Sequence, residues 1–361
     1  MTEPVLHIDF ETRSEVDLKE VGLYNYARHP STDVWCMAYA LGENPADLWT
    51  PGGDAYALLE CVERGYSVYA HNAPFELAIW NNIMVPRYDW PVLKPEQTFC
   101  TMAMCYAMGL PGSLDHAAPA VGIDERKDPI GRALMLKYAR PWRQPPQFKK
   151  LQWMDECPEF TLGGEKWTGK QGLLRLYEYC KQDVRVEREL HKRLMPLSDR
   201  ERQVWLMDYR INQRGVQVDL PSAEAAIKLA DAMKVRYDNE LAEITNGAAT
   251  SVTALAPLKE WLNEQGCHQA LAGLAKADVS ELLARDDLPA AARAALTVRQ
   301  EAGKASNAKF NVMVRQAGED GRLHNLFQYH GAGPGRWAGR AVQVHNLVRD
   351  MPDADVVERI L

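Results

Sequence analysis

Residues 5–11 read Val5-Leu6-His7-Ile8-Asp9-Phe10-Glu11, and this stretch decides the fold. Leu6, Ile8 and Phe10 alternate with His7, Asp9 and Glu11. That period of two places three apolar side chains on one face of a strand, and two carboxylates with an imidazole on the other. The reading is a half-buried β-strand. Working outward, a second apolar run covers 34–41. The turn Pro51-Gly52-Gly53 precedes a helical pattern over 54–64. Tyr66–Ala70 reads as a buried strand, and 75–84 as a helix entered through Pro74. Strands with helices between them predict an α/β layer. Helical patterns follow at 99–108, 113–121 and 131–139. Residues 141–170 are rich in Pro, Gly and Trp and read as an irregular connection. Helical periodicity returns over 171–195 through Leu173, Leu176, Cys180, Val184, Leu190 and Leu194.

A boundary is expected at Pro196-Leu197, where Ser198 and Glu201 form a capping box for a new helix that Gly215 terminates. From 222 to 316 the chain is Ala-rich and helical by pattern, with breaks at 246–251, 266–273 and 286–289. RLHNLFQY, residues 322–329, then alternates as a strand before a Gly-rich turn. Three regions follow: 1–196, 197–320 and 321–361.

The chain has 361 residues, 46% hydrophobic and 25% charged, ordinary values for folded globular domains. The N-terminus lacks a basic segment before an apolar stretch, and no run approaches a membrane span, so a cytoplasmic protein with no membrane partner is expected. Seven cysteines without a C-x-x-C pair fit reduced thiols better than disulfides or a zinc site. The net charge of −7 does not by itself suggest a nucleic-acid partner. Its distribution does. Residues 126–150 carry Arg126, Lys127, Arg132, Lys137, Arg140, Arg143, Lys149 and Lys150 against Asp128 alone, a local sum of +7. Residues 299–349 sum to +5. Trp142, Phe148, Phe310, Tyr329 and Trp337 are interleaved with these cations, a composition suited to a phosphate backbone and stacked bases.

Three acidic motifs carry the chemistry. Asp9 and Glu11 share a strand face and repel each other unless a cation neutralises them, and a hard divalent ion suits carboxylate oxygens. AHNAPFE, residues 70–76, places Glu76 at the start of a helix directly after a strand. YEYCKQD, residues 177–183, places Tyr179 and Asp183 four apart on one helix face.

In this order the motifs resemble the DEDD superfamily of 3′–5′ exonucleases, and specifically the proofreading domain of family A DNA polymerases, the bacterial polymerase I group and its phage relatives. The resemblance implies an RNase H-like 3′–5′ exonuclease domain over 1–196, with two Mg²⁺ or Mn²⁺ ions as cofactors. Asp9, Glu11 and Asp183 would hold the ion that activates water, with Asp9 bridging. Glu76 would help secure the second ion, and the Tyr179 hydroxyl would orient the water. Position 178, histidine in the other branch, is Glu178, so the Tyr branch is indicated. The family's second motif commonly ends in Asp, and Glu76 is one methylene longer. The expected partner is DNA, as a single-stranded 3′ end or primer–template. Asn72, Phe75, Lys137, Arg140, Arg143, Lys149 and Lys150 would contact it, the basic 126–150 stretch acting as a gripping insertion.

Beyond residue 198, RGVQVD (214–219), PLKEWL (257–262) and RQEAGK (299–304) are similar to the polymerase thumb and its approach to the palm. The region 197–320 is thus expected to be thumb-like and α-helical, and 321–361 a short palm fragment. HGAGPGRWAGR (330–340) and QVHNL (343–347) are similar to motifs that touch primer and template, with Pro334 and His345 departing from them. They nominate Arg336, Arg340, Gln343 and Asn346 as DNA contacts. Family A synthesis needs two palm aspartates and a Lys-bearing fingers helix; DADVVE at 353–358 imitates the first in letters only. The expectation is the N-terminal part of a split or shortened polymerase, unable to polymerise alone, with a separate chain carrying palm and fingers as a further partner. Two rivals are a non-catalytic DNA-binding or assembly subunit and an RNase D-like RNA exonuclease.

Overall fold

The structure is a computed structural model and describes residues 5–124, 128–144, 147–271, 273–304 and 308–347. Arg126, Lys127, Arg349 and the 353–358 stretch lie outside the described residues. The chain divides into two compact units, one made of residues up to Gln217 together with those from Gln316 onward, the other of Val218–Arg315.

The first unit is built on a five-stranded sheet. It begins with β1 (Leu6–Arg13), α1 (Leu18–Arg28), β2 (Asp33–Leu41), β3 (Asp47–Trp49), α2 (Tyr56–Glu63), β4 (Val68–Ala70) and α3 (Ala73–Ile79). A π turn, Trp80–Met84, leads into α4 (Val85–Tyr88), followed by β5 (Thr98–Cys100), α5 (Thr101–Ala107), α6 (Leu114–Ala120) and α7 (Pro129–Tyr138). A small hairpin, β6 (Phe160–Leu162) and β7 (Glu165–Trp167), precedes α8 (Gly169–His191) and α9 (Asp199–Arg214). The strand order is β3-β2-β1-β4-β5, with β1 central. β1–β2 and β2–β3 pair antiparallel, while β1–β4 and β4–β5 pair parallel.

β1 is covered on both faces, which corrects the half-buried expectation. Leu6, Ile8 and Phe10 join Tyr26 of α1, Leu77 of α3 and Trp80 in one core. The polar row faces α8 rather than water: Cys180 donates to Asp9, and Glu187 meets His7. Polar alternation in a sequence marks a face that is not apolar; it does not distinguish solvent from a second layer that is itself polar. α8 starts at a capping box formed by Thr168 and Gln171, a feature worth about 1 kcal/mol. Its Leu176, Cys180, Val184 and Leu190 are buried, and each aliphatic side chain stabilises the layer by about 1.5–3 kcal/mol.

Other differences are local. Residues 99–108, expected as one helix, are split by β5, whose pairing with β4 overrides helical periodicity at Phe99 and Cys100. The 141–170 connection contains the β6–β7 hairpin. α9 begins at Ser198, whose side chain accepts from Glu201 N at 3.3 Å, and ends at Gly215 with a left-handed φ of 68°. The Glu201 carboxylate accepts from Tyr329 Oη at 2.7 Å. Trp205 and Leu206 of α9 belong to the same core as β1, so this helix packs with the first unit rather than opening the next region.

The second unit is helical. It comprises α10 (Leu220–Ile244), α11 (Leu255–Glu264), α12 (Lys276–Leu283), α13 (Ala290–Lys304) and α14 (Ala308–Gln316), while β8 (Val216–Gln217) closes the first stretch of the first unit. Leu241, Leu258, Trp261, Leu262, Leu282, Ala292 and Leu296 form its core. The expected strand 322–329 is instead two short ones: β9 (Arg322–Leu323), paired with β8, and β10 (Phe327–Gln328), paired with β11 (Ala338–Gly339). Asn325 lies between them at φ 56° and turns the chain. Among the described residues, no helix is long and apolar enough to cross a membrane.

Candidate functional site: a carboxylate cavity over the central strand

Asp9, Glu11, Glu76, Tyr179 and Asp183 line one cavity of about 490 Å³ in the first unit, together with Asn72, Phe75 and Arg140. Each comes from a rigid element. β1 aims Asp9 and Glu11, opposite Ala38 and Cys36 of β2, so small neighbours leave room above the strand. Asn72 precedes α3 at φ 75°, a left-handed conformation that Asn tolerates, and its carbonyl accepts from Phe75 N at 2.8 Å. This turn brings Glu76 into the first turn of α3, where it is only 3% exposed. α8 supplies Tyr179 and Asp183. Gly131 on α7 allows α7 to lie against Tyr179, because a Cβ there would clash with the Tyr179 ring edge and the Asp128 carboxylate.

The electrostatics are those of a pocket short of positive charge. Burial pushes the Asp9 carboxyl up to about 7, Glu187 pushes it the same way, and the Cys180 thiol, donating at 3.4 Å, partly offsets this. Burial and then Asp9 push Asp183 up to about 8, against a hydrogen bond from Tyr179. Glu11 lies well above the usual carboxylate range through burial and the charges of Asp9, Cys36 and Asp183. Glu76 does so through burial and then Asp9, and its Oε2 is buried without a hydrogen-bond partner. Burial and the neighbouring acids push the Tyr179 hydroxyl up as well, so it stays protonated and can donate.

These donors fit divalent cations. Four carboxylates converge, one oxygen is orphaned, and hard oxygen ligands match Mg²⁺ or Mn²⁺. Ligand atoms of Asp9, Glu11 and Cys180 lie within 4.8 Å of one another. Cys180 is a soft donor whose thiol is pushed up by burial and by Cys36, which keeps it protonated beside the acids.

Of the nominated residues other than Asn72, Phe75, Tyr179 and the four acids, only Arg140 lines this cavity among the described residues. Lys137 Nζ sits 5.0 Å from the centre of the Phe160 ring. Arg143 lies over Trp142 and Phe148, at 4.0 and 4.6 Å from the ring centres. Lys149 and Lys150 are exposed. Arg140 lines the cavity while pairing with Asp17, the N-cap of α1. Arg340 lines a neighbouring cavity of about 420 Å³, which shares Leu18, Lys19, Asn72 and Phe75 with the acid cavity. Its Nε donates to Gln328 Oε1 at 3.1 Å. Arg336 is exposed, and Asn346 donates to Gln343 Oε1 at 3.0 Å on the surface.

Sequence reasoning missed Lys19 and Cys180 at the site, and Glu187 and His7 behind it. The last two were within reach of the pattern, since Glu187 is one turn beyond Asp183 and His7 one same-face step before Asp9. Lys19 had no signal, because only the chain turn between β1 and α1 brings it over the acids.

No family model matches the chain. A DNA polymerase of Bacillus phage SP02 is 31% identical to it over 364 residues, covering 99% of this chain and 53% of the phage protein. Among solved structures, the POL domain of Pol1 from M. smegmatis, in complex with DNA primer-template and dNTP, is similar with a TM-score of 0.51 and 13% identity. That match covers 97% of this chain and 53% of the other, and at this identity it shows the fold alone. The chain is thus a homologue of a phage DNA polymerase and spans about half the length of that relative.

Proposed function

We propose that the chain is a metal-dependent 3′–5′ DNA exonuclease of the proofreading type, with an RNase H-like first unit that releases nucleoside monophosphates from DNA 3′ ends. The observation that carries this reading is the convergence of four acids and Tyr179, from β1, α3 and α8, on one cavity. The order strand acids, helix-entry acid, closing-helix Tyr and Asp supports the Tyr-type DEDD assignment. Homology to a phage DNA polymerase supports DNA as the substrate.

Asp9, Glu11 and Asp183 would hold one ion and Asp9 and Glu76 the other. Bound there, the ions would supply a nucleophilic water at neutral pH and relieve charge on the leaving 3′ oxygen. The chain's own groups do the rest. Tyr179, kept protonated, donates a hydrogen bond that fixes the attacking water. Phe75 offers a ring for the terminal base, and Lys19 and Arg140 place positive charge at the rim for phosphate. The neighbouring cavity, entered past Asn72 and Phe75, would take the upstream part of the strand, with Arg340 at its wall. Lys137, Arg143, Lys149 and Lys150 would grip the backbone further out. Arg336, Gln343 and Asn346, on a palm-like fragment following the thumb-like helical unit, would contact primer–template. A separate chain carrying palm and fingers is proposed as the partner for synthesis.

The test is digestion of a 5′-labelled single strand, as DNA and as RNA, with Mg²⁺ or Mn²⁺. A DNA ladder shortening from the 3′ end in wild type and absent in Asp9→Ala is expected. Wild type indistinguishable from Asp9→Ala would favour a non-catalytic DNA-binding subunit, and preferential digestion of RNA would favour the RNase D-like reading.

A further inference from the structure

The acid row does not end at the cavity. Along β1, Glu11, Asp9 and His7 recur every second residue; along α8, Tyr179, Asp183 and Glu187 recur every fourth. A strand advances about 6.8 Å in two residues and a helix about 6 Å in four, so the two rows stay in step. The third rung is His7 with Glu187, the Nδ1 of one against the Oε2 of the other, each only 3% exposed. Tyr69 and His191 wall it in, their rings stacked at 3.9 Å, with His191 5.3 Å from His7. Glu187 does not line the acid cavity, yet its charge acts on both Asp9 and Glu76.

Two buried carboxylate oxygens in this region have no hydrogen-bond partner, Oε1 of Glu187 and Oε2 of Glu76. An unmade hydrogen bond on a buried polar group costs about 1–3 kcal/mol, more for a charged one. A stability role alone would be served at least as well by an apolar pair of the same volume. A negative group placed behind two ion-binding carboxylates makes sense when cations arrive in front of them, since a further negative charge at low dielectric strengthens the attraction for the ion.

We propose that Glu187, held by His7 one rung behind the acids, is a supporting carboxylate of the ion site, whose charge raises the affinity of the cavity for divalent cations. This rests on the reading of the cavity as an ion site.

The experiment is a titration of the full chain with Mn²⁺ alone, following free Mn²⁺ by electron paramagnetic resonance, alongside thermal unfolding in EDTA. Glu187→Gln is expected to bind Mn²⁺ about tenfold more weakly than wild type. Without metal its unfolding midpoint should be no lower, because one negative charge has left the neighbourhood of Asp9 and Glu76. Glu187→Asp, which keeps the charge, should recover part of the affinity. A Glu187→Gln isotherm matching wild type would overturn the proposal. If that variant does not fold, His7→Gln, which leaves the carboxylate but changes its grip, is expected to weaken Mn²⁺ binding, and unchanged affinity there would overturn the proposal equally. Wild type that binds no more Mn²⁺ than an Asp9→Ala/Asp183→Ala control would overturn the ion-site reading itself, a distinguishable failure.

Discussion

Replacing Asp9 with Asn should make the metal-free protein more stable, although Asp9 is the most central acid of the site. Burial pushes the native Asp9 carboxyl up to about 7, whereas in the unfolded chain it titrates near 3.8. The native state therefore binds more protons than the unfolded state between these values, and stability falls as pH rises through that window. Well below pH 3.8 both states are protonated and Asp9 costs nothing. Above pH 7 both are ionised and the native state carries the full cost, about 4 kcal/mol from the separation of the two values. Since part of Asp9 is reached by water from the cavity, we expect about 2–4 kcal/mol to be observed. Asn keeps the shape without the charge. Urea unfolding in EDTA across pH 5 to 9 should show Asp9→Asn above wild type by that amount at the alkaline end, with the gap closing toward acid pH. Adding Mg²⁺ or Mn²⁺ at pH 8 should raise wild type and leave Asp9→Asn nearly unmoved. A variant no more stable than wild type at pH 8.5, or a gap independent of pH, would refute the reasoning.

Tyr179→Phe should slow cleavage on the order of tenfold while leaving Mn²⁺ affinity unchanged, because the ring stays and one water-orienting hydrogen bond of about 1.4 kcal/mol is lost; single-turnover rates beside a Mn²⁺ isotherm check this. Gly131→Ala should destabilise the protein by about 1–3 kcal/mol and impair cleavage, since its methyl group displaces the Tyr179 ring; thermal unfolding and the ladder assay read both effects, and a neutral variant would contradict the packing. Lys149→Glu/Lys150→Glu should weaken single-strand binding and flatten the plot of log affinity against log salt by about 1.4, the value for two phosphate contacts; an unchanged slope would remove these lysines from the interface.

Much of the first unit was legible because its signals are local. β1 announces itself through alternation, α8 through periodicity, and α9 through Ser198 and Gly215 at its ends. The site was legible as a list, since Asp9, Glu11, Glu76, Tyr179 and Asp183 occupy motif positions, and the cavity brings all five together. What a single sequence withheld was pairing. β5 is three residues long and exists only because β4 is beside it, so Phe99 and Cys100 read as part of the following helix. Residues 322–329 alternate like one strand, and nothing in that pattern discloses that Asn325 turns the chain so that its halves pair with β8 and β11. The polar face of β1 read as solvated because its cover, α8, lies far away along the chain and meets it with polar side chains such as Asp183 and Glu187. For the same reason the pairing of His7 with Glu187 went unseen: His7 shows in the sequence only as a polar position on the Asp9 face, and only packing of α8 on β1 makes them a pair.

The most direct test of the central claim is an anomalous-difference map from crystals soaked in Mn²⁺ with a short DNA oligonucleotide. Two Mn²⁺ peaks are expected among Asp9, Glu11, Glu76 and Asp183, with the 3′-terminal nucleotide beside Phe75 and its phosphate facing Tyr179. A map with no peak in this cavity, or with the strand end bound elsewhere on the molecule, would contradict it.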